Sequence, residues 1–198
     1  MHALEQLDRN LTLLINSWNS PFSDPIWSFI SDIPVWIPMY AAIVVFLIVR
    51  LGWKKGLIVV AAALLTFGLC DQSSNLIKDL TERLRPCKDP YMIAQGLHIL
   101  EKGGGFSFFS AHAANAFGLA ASTYIGIRMD KRLKYRGYAV WMFTWATLVA
   151  ISRVFVGKHF LGDVIIGTVV GLAAGIAFGH LARWVCRRFL QEKTQKIC

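Results

Sequence analysis

An arginine, a histidine and an aspartate stand within one short stretch, Ser152 to Asp163 (SRVFVGKHFLGD), flanked by segments that are otherwise apolar. If the chain is helical from about Phe160 onward, His159 and Asp163 lie one turn apart on one face. The carboxylate can then accept the imidazole N–H and hold a single tautomer. Arg153 carries a permanent charge on a planar fork of donors, which suits the oxygens of a phosphate better than a neutral group. The stretch reads as a nucleophile or base beside an anion clamp. Taken alone it fits equally a capped helix start whose charges snorkel at a membrane surface.

Two other stretches carry residues of the same kind. In DQSSNLIKDLTERLRP, residues 71 to 86, the spacing predicts a long helix that leaves the hydrocarbon near Asp71 and ends before Pro86. Lys78, Glu82 and Arg85 would share one face of it; alone, Lys78 paired with Glu82 would be a solvated helix end. In FSFFSAHAANAFGLAA, Ser110 and His112 fall in the first turn of another helix, where free backbone N–H groups and the helix dipole favour an anion. Alone, Ser110 would be an N-cap and His112 an interfacial histidine. The loop 86–107 between these stretches, with glycines at 103 to 105, is long enough to fold over a site.

The elements that must position these residues are membrane helices. The 198 residues are 55% hydrophobic and 17% charged, with a mean hydropathy of +0.48, too apolar for an ordinary soluble domain of this size. Uncharged runs between Asp32 and Arg50, Lys55 and Asp71, from Gly103 to Ile127, between Arg136 and Arg153, and between Asp163 and Arg183 predict five spans. Residues 3–18 place Leu4, Leu7, Leu11, Leu14, Ile15 and Trp18 at helical spacing, as expected of an amphipathic helix in the interface. Pro34 and Pro38 should kink the first span. The fold expected is all-α: a polytopic membrane helix bundle of about five transmembrane helices plus the N-terminal interfacial helix. It forms a single domain over 1–198, with its motifs in 56–180 and a cytoplasmic tail at 184–198.

The net charge of +9 does not point to nucleic acid, because the basic residues alternate by loop. Arg50, Lys54 and Lys55, then Arg128 to Arg136, then Arg183 to Lys196 account for 13 of the 21 Lys and Arg, and the positive-inside rule makes that side cytoplasmic. The start of the chain shows no cleavable signal pattern, so the first span should direct insertion. Cys70, Cys186 and Cys198 fall in a span or on the cytoplasmic side, and Cys87 has no evident partner, so no disulfide framework is expected. Gly167, Gly171, Gly175 and Gly179 recur every fourth residue in the last span and predict close helix packing.

All the candidate residues fall at the outer ends of the second to fifth spans. Lys78, Arg85 and Arg153 with Ser110, His112 and His159 form a cluster that repels itself unless an anion fills it, and phosphate is the simplest occupant. The cations should also keep His159 neutral enough to attack, with Asp163 stabilising the charge it acquires. A dication would be poorly placed among them.

Three motifs carry a resemblance to the type 2 phosphatidic acid phosphatases, whose fold extends to bacterial acid phosphatases and vanadium haloperoxidases. They are Lys78 to Pro86 (KDLTERLRP), Phe109 to His112 (FSAH) and Ser152 to Asp163. The first and third match K-x6-RP and SR-x5-H-x3-D; in the second, Phe109 and Ala111 replace the proline and glycine of PSGH. The resemblance implies that His159 forms a phosphohistidine, Asp163 orients it, and His112 protonates the leaving alkoxide and later activates water. Lys78, Arg85, Ser110 and Arg153 would hold the phosphoryl oxygens, with no cofactor or metal. The expected partners are a lipid phosphate and the bilayer. The expected location is a bacterial inner membrane, with the site facing the periplasm or cell exterior. Undecaprenyl pyrophosphate, phosphatidylglycerophosphate and phosphatidic acid rank ahead of lipid A as substrates. A non-enzymatic phospholipid or anion transporter is the rival from another class, but transport needs polar groups along a path through the bilayer.

Overall fold

Inside a bilayer the backbone must satisfy its own polar groups, and long apolar runs do so as helices. The computed structural model describes residues 2–191, and the elements among them are all helical. They are α1 (His2–Asn16), α2 (Asp24–Ser31), α3 (Ile37–Leu51), α4 (Trp53–Thr81), α5 (Pro90–Ala94), α6 (Ala111–Ile127), α7 (Arg136–Phe155) and α8 (Leu161–Cys186). The expected tail continues α8 through a π-turn at Arg187–Gln191; Lys193, Lys196 and Cys198 lie outside the described residues.

Four helical stretches, built on α3, α4, α7 and α8, are long and apolar enough to cross a membrane. The fifth expected span is α6, whose 17 residues rise about 26 Å at 1.5 Å each. The uncharged run from Gly103 overstated its length, because the chain is not helical until Ala111. α6 is the hub of the bundle, packing on α4, α7 and α8, with Ala113, Ala114 and Ala120 fully buried. The glycine ladder of α8 lets the two backbones touch: a Cβ on Gly171 would stand 2.1 Å from the carbonyl oxygen of Ala114, and one on Gly167 2.4 Å from that of Ser110. Through this contact the Ser110 N–H donates to the Asp163 carbonyl at 3.0 Å, so the starts of α6 and α8 are fixed together.

Two local expectations change. α4 stops at Thr81, because Glu82 takes a left-handed conformation (φ 47°, ψ 26°); Arg85, restricted by Pro86, is extended (φ −74°, ψ 153°). Glu82 is therefore exposed and off the face it was expected to share with Lys78 and Arg85. Pro34 and Pro38 mark a break rather than a kink: α2 ends at an extended Asp32, Pro34–Trp36 form a 3-10 turn, and Pro38 sits in the first turn of α3, where a missing N–H costs nothing. α1 is amphipathic, as expected. Leu4, Leu7, Leu11, Leu14 and Trp18 face outward, between 37% and 75% exposed, while Thr12 and Asn16 are buried. The apolar stripe suits lipid and the polar stripe docks on the protein.

Candidate active site

α4 carries Lys78 in its last turn, the loop after it carries Arg85, Ser110 caps α6 and His112 lies in its first turn, α7 carries Arg153 in its last turn, the loop into α8 supplies His159, and the first turn of α8 supplies Asp163. These expected residues converge. Lys78 lies within electrostatic reach of Arg85, Arg153 and Asp163, and His112 within reach of Arg153, His159 and Lys78. Ser110, Arg153, His159 and Asp163 are buried. Ser110 also caps α6, its Oγ accepting from the Ala113 N–H at 3.4 Å. Ala111 is the first helical residue and needs no left-handed backbone, so alanine in place of the motif glycine leaves the helix start intact.

His159 Nδ1 stands 3.5 Å from Asp163 Oδ2, long for a hydrogen bond but within ion-pair reach. Burial pushes the imidazole pKa down to about 4, with Arg153 and Arg85 adding to that and Asp163 opposing it. The ring is thus neutral near pH 7, and with the carboxylate facing Nδ1 the free lone pair falls on Nε2. Arg153 donates through Nη1 to the Ser31 carbonyl at 3.2 Å and to the Ser31 hydroxyl. Arg85 Nη1 makes a 3.4 Å bond to the Lys158 carbonyl. The Nε atoms of both guanidiniums are buried without a partner. Two guanidinium forks, one buried and one half-buried, with unmet Nε donors beside a neutral histidine suit a tetrahedral oxyanion.

The structure adds residues that the motifs missed. Asp163 is anchored by Arg83 Nη1 (2.6 Å), by the Ser107 hydroxyl and by the Phe160 N–H (3.0 Å). Arg83 stacks its guanidinium 4.0 Å from the Phe160 ring centre and reaches Asp8 of α1 through Nη2 at 2.6 Å. Asp8 also accepts the Gly162 N–H at 2.7 Å, and Thr12 Oγ1 accepts that of Leu161 at 3.0 Å. Arg83 gave no signal by spacing, since the helix assumed to carry it ends two residues earlier. Asp8, Thr12 and Asn16, at i, i+4 and i+8, were legible as a polar stripe opposite the leucines. The end of the 86–107 loop packs on the site as well: a Cβ on Gly103 would stand 2.7 Å from Arg85 Cδ.

Below His112 a cavity of about 470 Å³ runs between α3, α4, α6 and α7. Its walls include Ile37, Leu64 and Phe67, each more than half exposed on the outer surface of the bundle, so it opens sideways between α3 and α4. These helices pinch together further along, where a Cβ on Gly56 would meet Ile48 Cα at 2.7 Å. A phosphate at His159 could therefore sit above a slot that admits hydrocarbon from the membrane.

The family model of the PAP2 superfamily matches residues 56–187. The chain belongs to the PAP2 superfamily. Two relatives, each named lipid A 4'-phosphatase, come from Bacteroides thetaiotaomicron and Porphyromonas gingivalis. The first is 34% identical over 194 residues, 96% of this chain and 83% of the relative; the second is 33% identical over 177 residues, 88% and 72%. Among solved structures, the transmembrane PAP2 type phosphatidylglycerolphosphate phosphatase from Bacillus subtilis superposes with a TM-score of 0.68 at 21% identity, covering 96% of this chain and 89% of that one. LpxE from Aquifex aeolicus gives 0.62 at 23%, covering 85% and 92%. As a PAP2 protein with several apolar helices, the chain is a multi-pass membrane lipid phosphatase. Among the described residues no group of three or more His, Cys, Asp and Glu is placed to hold a metal ion.

Proposed function

We propose that this PAP2 phosphatase removes the 4'-phosphate of lipid A through a phosphohistidine. The observation that carries the chemistry is the pair of guanidiniums, Arg153 buried and Arg85 half-buried, whose buried Nε donors are unpartnered beside a neutral His159. The substrate rests on the two relatives, each matched over more than two thirds of its length. That reverses the order of substrates expected from the sequence, in which undecaprenyl pyrophosphate and glycerolipids came ahead of lipid A.

In the first step His159 Nε2 attacks phosphorus as the P–O bond to the sugar breaks, and His112, which takes up a proton as the bound phosphate dianion offsets the charge of Arg153 and Lys78 around it, gives that proton to the leaving alkoxide. Asp163, held by Arg83 and Ser107, stabilises the positive imidazole. Lys78, Arg85, Arg153 and the first N–H groups of α6 bind the three equatorial oxygens, where charge accumulates in the transition state. His112 then takes a proton from water as the water oxygen attacks the phosphohistidine, which releases inorganic phosphate and restores both histidines. The basic residues of the described chain cluster at the other ends of the helices, in the segments after α3, α6 and α8. By the positive-inside rule the site faces away from the cytoplasm, on the periplasmic face of a bacterial inner membrane.

The test incubates purified protein in detergent micelles with lipid A phosphorylated at both ends, with phosphatidic acid, phosphatidylglycerophosphate and undecaprenyl pyrophosphate in parallel and His159→Ala as control. Mass spectrometry should show loss of the 4'-phosphate from lipid A by the wild type alone. Faster turnover of any of the other lipids would move the substrate to that lipid.

A further inference from the structure

The cavity beneath the phosphate layer is walled mainly by hydrocarbon, and a few polar groups interrupt it. Asn115 lies three residues after His112 on α6, about 4.5 Å further along the helix axis. It lines the cavity, and its Oδ1 is buried with no hydrogen-bond partner. Asp71 lines the same space from α4, where Asn75 Nδ2 donates a long 3.4 Å bond to its Oδ2. Deeper in the wall, about 12 Å below Arg153 by helix rise, the Trp145 Nε1 donor is buried without a partner. A tail of pure hydrocarbon would leave the Asn115 oxygen unsatisfied in an apolar slot, which is costly. A tail with a donor at that depth would satisfy it.

We infer that Asn115 is a specificity-determining residue: its amide oxygen accepts a hydrogen bond from an N–H or O–H near the head of the lipid tail. The site would then select amide-linked or hydroxylated lipid phosphates over fully esterified ones. An ester offers only acceptors, whereas an amide or a hydroxyl offers a donor as well, and the atom of Asn115 that is buried and unmet is the acceptor Oδ1. Asp71, a second acceptor in the same wall, favours the same class. The inference rests on the phosphatase reading only in placing the phosphate at His159 and the tail in the cavity.

Two pairs of probes separate the donor from the rest of the lipid. Ceramide and diacylglycerol, which have no phosphate, would be titrated into full-length protein in micelles, with binding followed by tryptophan fluorescence, since Trp36 and Trp145 line the cavity. Ceramide 1-phosphate and phosphatidic acid would be compared by kcat/KM. Wild type should favour the ceramide member of each pair by about tenfold, the factor expected for one added hydrogen bond, with the turnover difference lying in KM. Asn115→Leu should bring both ratios near one, and Asn115→Ser, which keeps an acceptor, should retain part of the preference. Equal wild-type affinities, or a preference that survives Asn115→Leu, would overturn the inference. Selective binding of ceramide without turnover of either phosphate or of lipid A would support the subsite and sink the phosphatase reading instead.

Discussion

Arginine meets aspartate at both ends of the bundle, but the two clusters are built to different rules. At the end away from the active site, Asp130 accepts from Arg132 at 2.8 and 3.0 Å, pairs with Arg50 at 3.0 Å and accepts the Tyr135 hydroxyl. Its carboxyl is held well below the usual range, first by the Arg132 hydrogen bond and then by that of Tyr135. At the active end one carboxylate, Asp163, is as fully engaged, yet Arg85 and Arg153 keep buried donors unmet. A satisfied cluster fixes a loop; a buried surplus of cation waits for an anion.

If that contrast is right, mutations at the two ends should separate activity from stability. The largest effect belongs to the unmet forks. Arg153→Ala and Arg85→Ala should each lower kcat/KM by about 10²–10³-fold, as loss of a transition-state donor does elsewhere, while Asp130→Asn leaves kcat unchanged. A smaller effect is expected one step out from the chemistry. Arg83→Ala should lower kcat by about tenfold or more with little change in KM, since it acts through Asp163, and Asp8→Asn should give a weaker version of the same pattern. Loss of folded protein without a change in kcat per folded molecule would make the Asp8–Arg83 link structural only.

The pH dependence sharpens the comparison. His159 is neutral in the folded state down to about pH 4, against an ordinary value near 6.5. Its contribution to stability is therefore complete above the ordinary value and declines as pH falls from about 6.5 towards 4, because the unfolded chain takes up the proton first. Asp130, with its depressed value, loses its contribution only as pH falls below the usual carboxylate range. Thermal melts in detergent should show His159→Gln reducing the slope between about pH 6.5 and 4. The smallest effect follows from Asp130→Asn, which should lower Tm at neutral pH and weaken the slope at still lower pH.

The convergence of the candidate residues was legible in the sequence because they sit at helix ends with fixed spacing: His159 and Asp163 across the first turn of α8, Ser110 and His112 across the first turn of α6. The glycine ladder of α8 was legible for the same reason, as a period. What was not legible depends on contacts between distant segments. Arg83 follows a left-handed residue that no periodicity announces, and its partner Asp8 is 75 positions away. The break between α2 and α3 was misplaced because two prolines inside an apolar run look alike whether they kink a helix or open one. Substrate order was beyond the motifs altogether, since they describe the phosphate and not the tail.

The most direct test of the account is to quench the enzyme during turnover of lipid A radiolabelled at its 4'-phosphate and to locate the protein-bound label. The account predicts an acid-labile, base-stable phosphoryl group on His159, accumulating in His112→Ala if release of the alkoxide still occurs, and absent from His159→Ala. Label on another residue, or undiminished turnover by His159→Ala, would contradict it.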